Sequence, residues 1–303
     1  MNLRDLEYVH ALGNYQSFSK AAVACNVSQP ALSNQVKKLE QELGAELFDR
    51  RLQEIRPTEL GNRVIASAKL LLEEAQKIRD MATEYRNPTA LPLRVGMVPT
   101  LAPFLMRYLF EQIQAVLPDI KLVVSEASST ELTKRVGNRD VDIALIPRNL
   151  YDGQMDFSPL FTERMFLATQ SGHWLSKYKT IALDEIPYRK LICPNDSLGF
   201  EAEQQVQRTN PGTGNDVCLD VSGAGLETVC RHICVSDDCT IIPALASERF
   251  QREGWNLAFI PIDDPDCVRE IGVISRVGCP RKPLLAKIQK QITICPPSCV
   301  QLV

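Results

Sequence analysis

Hydrophobic residues in the first 45 positions recur every three or four residues, which is the period of an amphipathic α-helix. The first predicted helix has a buried face formed by Leu3, Leu6, Val9 and Leu12. Gly13 and Asn14 follow this face as stop signals. A second helix is predicted to begin within residues 17–22, with a serine as its N-cap. The chain therefore opens with two short helices.

A third helix is predicted after a tight turn at residues 25–27. Ser28 is its expected N-cap, and Pro30 falls in the first turn, where its missing N–H has no helical partner to lose. The inner face is formed by Leu32, Val36, Leu39 and Leu43. The outer face carries Gln29, Ser33, Asn34 and Lys37. Such side chains suit base edges and phosphates in a DNA major groove, although a solvated polar face explains the same pattern in this helix taken alone.

Arginines cluster in a turn-like stretch beyond the third helix, at Arg50, Arg51 and Arg56. A charge cluster is commonly just surface. Because this one directly follows a candidate recognition helix, its position favours a wing that contacts phosphates.

A long helix is predicted from Thr58, its N-cap, to the stop at Asn87 and Pro88. Its hydrophobic positions alternate steps of four and three, at Val64, Ala68, Leu71, Ala75, Ile78, Ala82 and Tyr85. A stripe this narrow needs a partner helix, most simply its copy in a second subunit. A symmetric dimer would also match a palindromic DNA site.

From Leu93 the pattern changes to alternating strands and helices. Strands are predicted at 93–98, 121–125 and 141–146, with helices at 100–117 and 129–137. This order predicts an α/β domain with a parallel sheet covered on both faces, which binds ligands beyond the carboxyl ends of its strands. The polar residues at these ends are Thr100, Ser128, Ser129, Thr130, Asn195, Asp196 and Ser197. They favour an anionic effector at helix N-termini, although plain helix capping explains each of them singly.

The run from Ser17 to Arg50 resembles the DNA-binding signature of the LysR-type transcriptional regulators. The matching elements are Phe18 with Ala21 and Ala22, residues 28–33, Leu39 with Glu40, Leu43 with Gly44, and Leu47-Phe48 with Arg50. The resemblance implies an N-terminal all-α winged helix-turn-helix at 1–58, a long linker and dimerisation helix at 59–89, and an effector-binding domain at 90–303. It also implies DNA contacts by Ser28, Gln29, Pro30, Ser33, Asn34, Lys37, Arg50 and Arg51.

The rest of the chain resembles the family's effector-binding domain, which is similar to a type 2 periplasmic binding protein. The resemblance implies two α/β lobes, with lobe I at about 90–163 and 268–303 and lobe II at about 164–267. Crossover strands are expected near 160–166 and 266–273, and the effector is expected between the lobes. Family membership also implies a tetramer built from dimers.

Within the family, residues 1–12, 98–100 and 241–246 most resemble the peroxide-sensing OxyR branch. That branch senses through a cysteine that pairs with a second cysteine nearby. At the corresponding places this chain has Gly199 and Arg208. Both thiols are missing, so the peroxide mechanism does not carry over.

Ten cysteines are present, and five of them are candidates for a substitute redox mechanism: Cys193, Cys218, Cys230, Cys234 and Cys239. A reactive thiol needs exposure and a lowered pKa, whereas a buried thiol acts as a small hydrophobe. The spacing of Cys230, His232 and Cys234 is not a usual zinc pattern, so no metal is expected. The segment from Cys295 to Cys299 is predicted to be a flexible tail.

Composition excludes some classes of protein. The net charge is −3, and residues 1–86 contain 12 basic and 12 acidic residues, so the case for DNA rests on where the charges lie. No apolar run approaches the ~18 residues of a transmembrane helix, and residues 1–10 do not form a signal peptide, so we expect a cytoplasmic protein without membrane contact. An enzyme or solute-binding protein is the alternative of another class, but no cofactor or nucleophile motif is present.

The sequence therefore predicts a LysR-type regulator that is not an enzyme and needs no cofactor. It would bind a palindromic promoter site in double-stranded DNA as a homo-oligomer. A small, anionic effector in the interlobe cleft would modulate DNA binding. Thiol oxidation at the five cysteines is the alternative trigger.

Overall fold

The structure is a computed structural model. It describes residues 1–49, 55–87, 89–153, 155–194, 198–200, 224–279 and 281–302. Contacts between residues divide the chain into two compact units, residues 1–86 and residues 87–303.

The first unit contains helices α1 (Leu3–Tyr15), α2 (Phe18–Ala24), α3 (Gln29–Leu43) and α4 (Glu59–Arg86), with strands β1 (Phe48–Asp49) and β2 (Arg56–Pro57) between α3 and α4. The predicted buried faces of α1 and α3 are confirmed at Leu6, Val9, Leu12, Leu32, Val36 and Leu39. Leu3 and Leu43 were predicted to be buried but are 45% and 42% exposed. They are the first residue of α1 and the last of α3, where the helix runs beyond the core.

The helix boundaries confirm the predicted caps, with one exception. Ser17 and Ser28 accept hydrogen bonds from backbone N–H groups in the first turns of α2 and α3, and Asn26 has a φ of 54° in the turn between them. The predicted stop at Gly13 and Asn14 is wrong, because α1 continues to Tyr15. A Cβ atom on Gly13 would lie 2.7 Å from Ile65 Cδ1, so this glycine permits close packing against α4 instead of ending α1.

Helix α4 begins after Thr58, whose hydroxyl oxygen accepts from the Gly61 N–H at 2.9 Å, as the sequence predicts for an N-cap. Along its predicted seam Ala68 is buried, but Ile78 and Tyr85 are 66% and 84% exposed. The helix therefore presents a row of exposed hydrophobic side chains.

The second unit contains eight named strands among the described residues: β3 (Leu93–Met97), β4 (Leu122–Glu126), β5 (Ile143–Pro147), β6 (Asp156–Gln170), β7 (Cys239–Pro243), β8 (Leu257–Pro261), β9 (Val268–Ser275) and β10 (Gln301–Leu302). Its α-helices in the described ranges are α5 (Ala102–Val116), α6 (Ser129–Gly137), α7 (Leu226–Ile233), α8 (Ala244–Arg252) and α9 (Lys282–Ile294).

The sheet is mixed, so the predicted parallel sheet is only partly right. Strand β3 pairs in parallel with β4 and β5. Strand β9 pairs antiparallel with β5, and β6 pairs antiparallel with β7, β8, β9 and β10. The chain leaves one lobe along β6 and returns along β9, so these two strands run in opposite directions.

Strands β6 and β9 join two lobes, as the family resemblance implies. The first half of β6 pairs with β9, whereas residues 165–170 pair with β7 and β8. One hydrophobic core lies among β3, β5, β9, α5 and α9, which we call lobe I. A second core lies among the end of β6, β7, β8 and α7, which we call lobe II. No helix in the described residues is long and apolar enough to cross a membrane.

Replacing Gly61 by alanine is expected to destabilise the first unit by about 1–3 kcal/mol, as overpacking does. A Cβ atom there would lie 2.0 Å from the carbonyl oxygen of Leu47. An ordinary Gly-to-Ala change within a helix instead stabilises by about 1 kcal/mol. Thermal unfolding followed by far-UV circular dichroism measures the change. Asn62→Ala, at an exposed neighbouring position of α4, is the control, and a G61A variant as stable as this control would contradict the packing argument.

Candidate functional site

The polar side of α3 is the first candidate site. Gln29, Asn34 and Lys37 are exposed and Ser33 is half-buried, while Ser28 and Pro30 are exposed at the start of the helix. The residues predicted to contact DNA on α3 therefore share one accessible surface. The Ser19 hydroxyl donates to Gln29 Oε1 at 2.8 Å, so α2 helps to orient this side chain.

Two buried carboxylates hold this surface in place, and sequence reasoning missed the role of both. Asp5 accepts from Gln35 Nε2 at 2.6 Å and thereby ties α1 to α3. Glu40 Oε1 accepts from the N–H groups of Leu47 and Phe48 at 2.8 and 3.2 Å. The sequence did offer a signal for them, because both acidic residues fall on a helix face that is otherwise buried. Acidic side chains are rarely buried without partners, so such a position indicates a structural hydrogen bond.

The predicted wing begins where Glu40 anchors the chain. Strands β1 and β2 pair antiparallel, with Phe48 opposite Pro57 and Asp49 opposite Arg56. Arg56 is exposed. Arg50 and Arg51 lie outside the described residues. The strand pairing therefore supports the base of a hairpin beyond α3.

The second candidate site lies between the two lobes, where Glu163 of β6 faces Arg269 of β9. Both side chains are 0% exposed, and Arg269 Nη2 lies 2.7 Å from Glu163 Oε1. Glu163 Oε2 also accepts from the N–H of Leu245, in the first turn of α8, at 3.0 Å. This carboxylate therefore binds both a crossover strand and a helix N-terminus.

Arg269 also connects the two lobes. It donates to the hydroxyl of Thr100 at 3.1 Å and to the Thr100 carbonyl at 3.2 Å, in lobe I. It donates to the carbonyl of Leu198, in lobe II, at 2.9 Å. Thr100 is fully buried, so its hydroxyl serves this network and does not line an open pocket.

The remaining predicted effector residues have separate positions. The Ser128 hydroxyl oxygen accepts from the Glu131 N–H at 3.3 Å and caps α6, which is the plain capping role. Ser129 is half-buried and Thr130 exposed in the first turn of α6. Asn195, Asp196 and Ser197 lie outside the described residues. Of the four members of this set that the structure describes, Thr100 alone contacts the buried ion pair.

A cavity of about 380 Å³ opens beside the crossover strands, and no sequence signal pointed to it. It is lined by Arg148, Asn149, Thr162, Gly199, Pro265, Val268 and Glu270. Arg148 Nε donates to Glu270 Oε2 at 2.8 Å, and its guanidinium lies 4.6 Å from the centre of the Phe157 ring. The cavity therefore carries one positive and one negative side chain among its described lining residues.

Gly199 has a φ of +73°, and a Cβ atom there would lie 2.4 Å from Pro147 Cβ. Any side chain at this position would strain the backbone and collide with Pro147. The position that the resemblance assigns to a sensing cysteine is therefore shaped for glycine. Arg208 lies outside the described residues.

Three of the candidate redox cysteines, Cys230, Cys234 and Cys239, are poorly suited to react. Cys230 of α7 and Cys239 of β7 are buried, and burial raises the pKa of both thiols far above the ordinary range. Cys234 is half-buried, and its pKa is also raised by burial. Cys193 is half-buried, and Cys218 lies outside the described residues. High pKa values leave little thiolate, which is the reactive form.

The predicted flexible tail at residues 295–299 is wrong. The Ser298 hydroxyl donates to Glu248 Oε1 at 2.7 Å, Cys299 packs against the core of lobe I, and β10 pairs with β6. Two consecutive prolines do not prevent this, because the anchoring contacts come from residues on either side of them.

Comparisons with known proteins agree with this architecture. Residues 3–62 match the family described as bacterial regulatory helix-turn-helix protein, lysR family. Residues 86–292 match the LysR substrate binding domain. The hydrogen peroxide-inducible genes activator of Pectobacterium carotovorum is 29% identical over 92% of this chain and 92% of its own length. OxyR of Escherichia coli, a DNA-binding transcriptional dual regulator, is 28% identical over 92% of this chain and 91% of its own length.

Two solved structures are similar over almost the whole chain. A full-length OxyR variant from Pseudomonas aeruginosa has a TM-score of 0.61 and 27% identity, covering 97% of this chain and 98% of that one. Full-length CbnR complexed with its target DNA has a TM-score of 0.63 and 18% identity, covering 97% and 99%. The second likeness shows a shared fold.

Replacing Glu163 by leucine is expected to lower the free energy of unfolding by about 3–5 kcal/mol, because Arg269 would remain buried without its counter-charge. Urea unfolding followed by the fluorescence of Trp174 and Trp255, both in the second unit, measures the loss. Glu270→Gln is the matched control, since Glu270 is the neighbour of Arg269 on β9 and its ion pair with Arg148 is partly exposed, so the loss should be less than about 1 kcal/mol. Equal losses in the two variants would contradict the central role of the buried pair.

In the folded protein at about pH 8, an alkylating reagent should modify the exposed Cys295 quickly and leave Cys230 and Cys239 unmodified. Burial both blocks these two thiols and raises their pKa values, so the thiolate is scarce at this pH. Mass spectrometry of the labelled peptides gives the rates. Addition of urea, which unfolds the chain, should bring all three rates together. Rapid native labelling of Cys230 or Cys239 would revive the redox alternative.

Proposed function

This chain belongs to the LysR family of transcriptional regulators, and we propose that it binds a palindromic promoter site in double-stranded DNA under the control of a small effector. The observation that carries the proposal is the accessible polar surface of α3. Its N-terminus is capped by Ser28, and its opposite face is buried in the three-helix core. A helix held in this way can enter a major groove without losing its own packing.

Within this proposal, Gln29, Ser33 and Lys37 face the groove, since they are successive positions on one side of α3. Gln29 and Asn34 supply amide groups for base edges, while Lys37 supplies charge for phosphates. Arg50 and Arg51 contact phosphates from the hairpin whose base Glu40 anchors. The remaining predicted DNA residues, Ser28 and Pro30, lie where the helix N-terminus approaches the backbone of the duplex.

The exposed row on α4 supports assembly. Ile78 and Tyr85 remain largely exposed in the single chain, and they fall on the heptad positions that a second helix would cover. We propose that a second copy of α4 covers them, which places two α3 helices on the two halves of a palindrome. Two such dimers would form the tetramer that the family resemblance implies.

The proposed effector carries an anionic group and binds between the lobes of the second unit. It modulates DNA binding only if it binds one arrangement of the lobes more tightly than another. Arg269 is already saturated by Glu163, Thr100 and Leu198. The guanidinium of Arg148, which is more than half exposed and lines the cavity beside the crossover strands, offers an accessible positive charge.

The thiol alternative is disfavoured by the burial of Cys230 and Cys239. No catalytic step is part of the proposal, and its DNA target places the chain in the cytoplasm. A footprint of the purified protein on DNA upstream of its own gene tests the central claim. Absence of a protected region under any effector or redox condition would refute DNA binding.

Lys37→Ala and Arg50→Ala are each expected to weaken binding to the footprinted DNA and to reduce the slope of log K against log salt by about 1. The slope becomes smaller because a protein that makes one phosphate contact fewer releases about one counterion fewer when it binds. Fluorescence anisotropy across a salt series provides the measurement. Lys282→Ala, an exposed lysine of α9 in the second unit, is the control and should leave the slope unchanged. An unchanged slope in K37A and R50A would remove both residues from the interface.

A further inference from the structure

We propose that the effector is a small α-amino acid, bound as a zwitterion in the 380 Å³ cavity between Arg148 and Glu270. The inference rests on the proposed function, because it names the chemical class of the effector for the cleft. Three observations carry it: the internal saturation of Arg269, the paired charges of the cavity, and the register of the two crossover strands.

The buried ion pair already occupies the place where a free anion would otherwise bind. Glu163 accepts from Arg269 Nε and from the N–H of Leu245 at the start of α8. A guanidinium and a helix N-terminus are the groups that recognise a carboxylate. The chain thus supplies its own carboxylate to this site, and an anionic ligand would have to displace it.

The neighbouring cavity has a different charge pattern. Arg148 and Glu270 pair through a single contact of 2.8 Å, and Arg148 remains more than half exposed. Glu270 Oε1 is enclosed and has no hydrogen-bond partner within the described part of the chain. The Glu270 side chain therefore accepts one hydrogen bond, from Arg148, and the carboxylate has unused acceptor capacity.

These two side chains select a ligand with both charges. A simple anion would meet Arg148 favourably but would face the carboxylate of Glu270. A simple amine would meet Glu270 but would face the guanidinium. A zwitterion places its carboxylate on Arg148 and its ammonium group on Glu270, so that each charge meets an opposite one. A volume of about 380 Å³ is within the range of small-molecule sites.

The register of the crossover strands connects this cavity to the ion pair. Thr162 lies opposite Glu270, and the next pair along the same strands is Glu163 opposite Arg269. Successive residues of a strand point to opposite faces. A ligand that moves Glu270 therefore acts on the same two strands, one residue away from the contact that joins the lobes.

The test uses the full-length protein and matched probes. The common L-amino acids are screened individually by thermal shift, and those that bind are measured by titration calorimetry. The best one is compared with its decarboxylated amine and its deaminated carboxylic acid; for leucine these are 3-methylbutylamine and 4-methylpentanoate. We expect the zwitterion to bind at least about tenfold more tightly than either probe, since each probe lacks one charge-assisted contact.

Variants assign the site. Glu270→Gln and Arg148→Gln should each weaken binding of the amino acid by about tenfold or more. Glu131→Gln is the matched control, because it breaks an arginine–glutamate pair of the same 2.8 Å length on α6, away from the cavity. The Glu131→Gln variant should bind the amino acid with the same affinity as the unmodified protein.

Several outcomes would overturn the inference. They are the binding of no amino acid, equal binding of the amine or the acid, and unchanged affinity in both cavity variants. The footprint separates this failure from failure of the proposed function. Protected DNA with no amino acid bound refutes the zwitterion alone, whereas absence of protection refutes the regulator.

Discussion

The ion pair between Glu163 and Arg269 is the interaction on which the second unit depends. Removing two charges from water costs several kcal/mol for each, and attraction offsets this only when hydrogen bonds satisfy the remaining donors and acceptors. Here Arg269 donates to Glu163, Thr100 and Leu198, and Glu163 also accepts from Leu245. Because these partners come from both lobes and both crossover strands, the pair fixes how the lobes meet.

This network explains why local patterns predicted some features well and missed others. The caps at Ser17 and Ser28 and the buried faces of α1 and α3 follow from spacings of a few residues, which the sequence displays directly. Glu163 and Arg269 are 106 residues apart. Nothing in the sequence around either residue indicates a buried ion pair. Thr100 likewise looks like an ordinary polar residue at the end of a strand, and only the structure shows that Arg269 donates to it.

The errors share the same origin. Strand periodicity does not reveal direction, so the antiparallel pairing of β6 and β9 could not be distinguished from the parallel pairing of β3 with its neighbours. Gly13 was predicted to end α1 because glycine has a weak helix propensity. Its role is instead to allow the close approach of Ile65 from α4. The Cys295–Cys299 segment was predicted to be a flexible tail from its terminal position, whereas Glu248 and strand β6 hold it in place. In each case a partner distant in sequence overrides the local preference.

The departure from the peroxide-sensing branch also has a structural reason. Gly199 lies against Pro147 with a positive φ, so no thiol fits there without straining the backbone and moving Pro147. The two-stranded ribbon of β6 and β9 carries different side chains on its two faces. Its buried face holds Glu163 against Arg269, and its other face presents Thr162 and Glu270 to the cavity. A register shift between Pro159 and Phe161 interrupts the ribbon just before this point. Such an irregularity bends a strand pair locally, so we expect the proposed ligand, bound on the cavity face, to act on the strands that the ion pair holds together on the opposite face. The proposed effector site and the buried ion pair therefore need no long pathway between them, because they are neighbouring residue pairs on the same two strands.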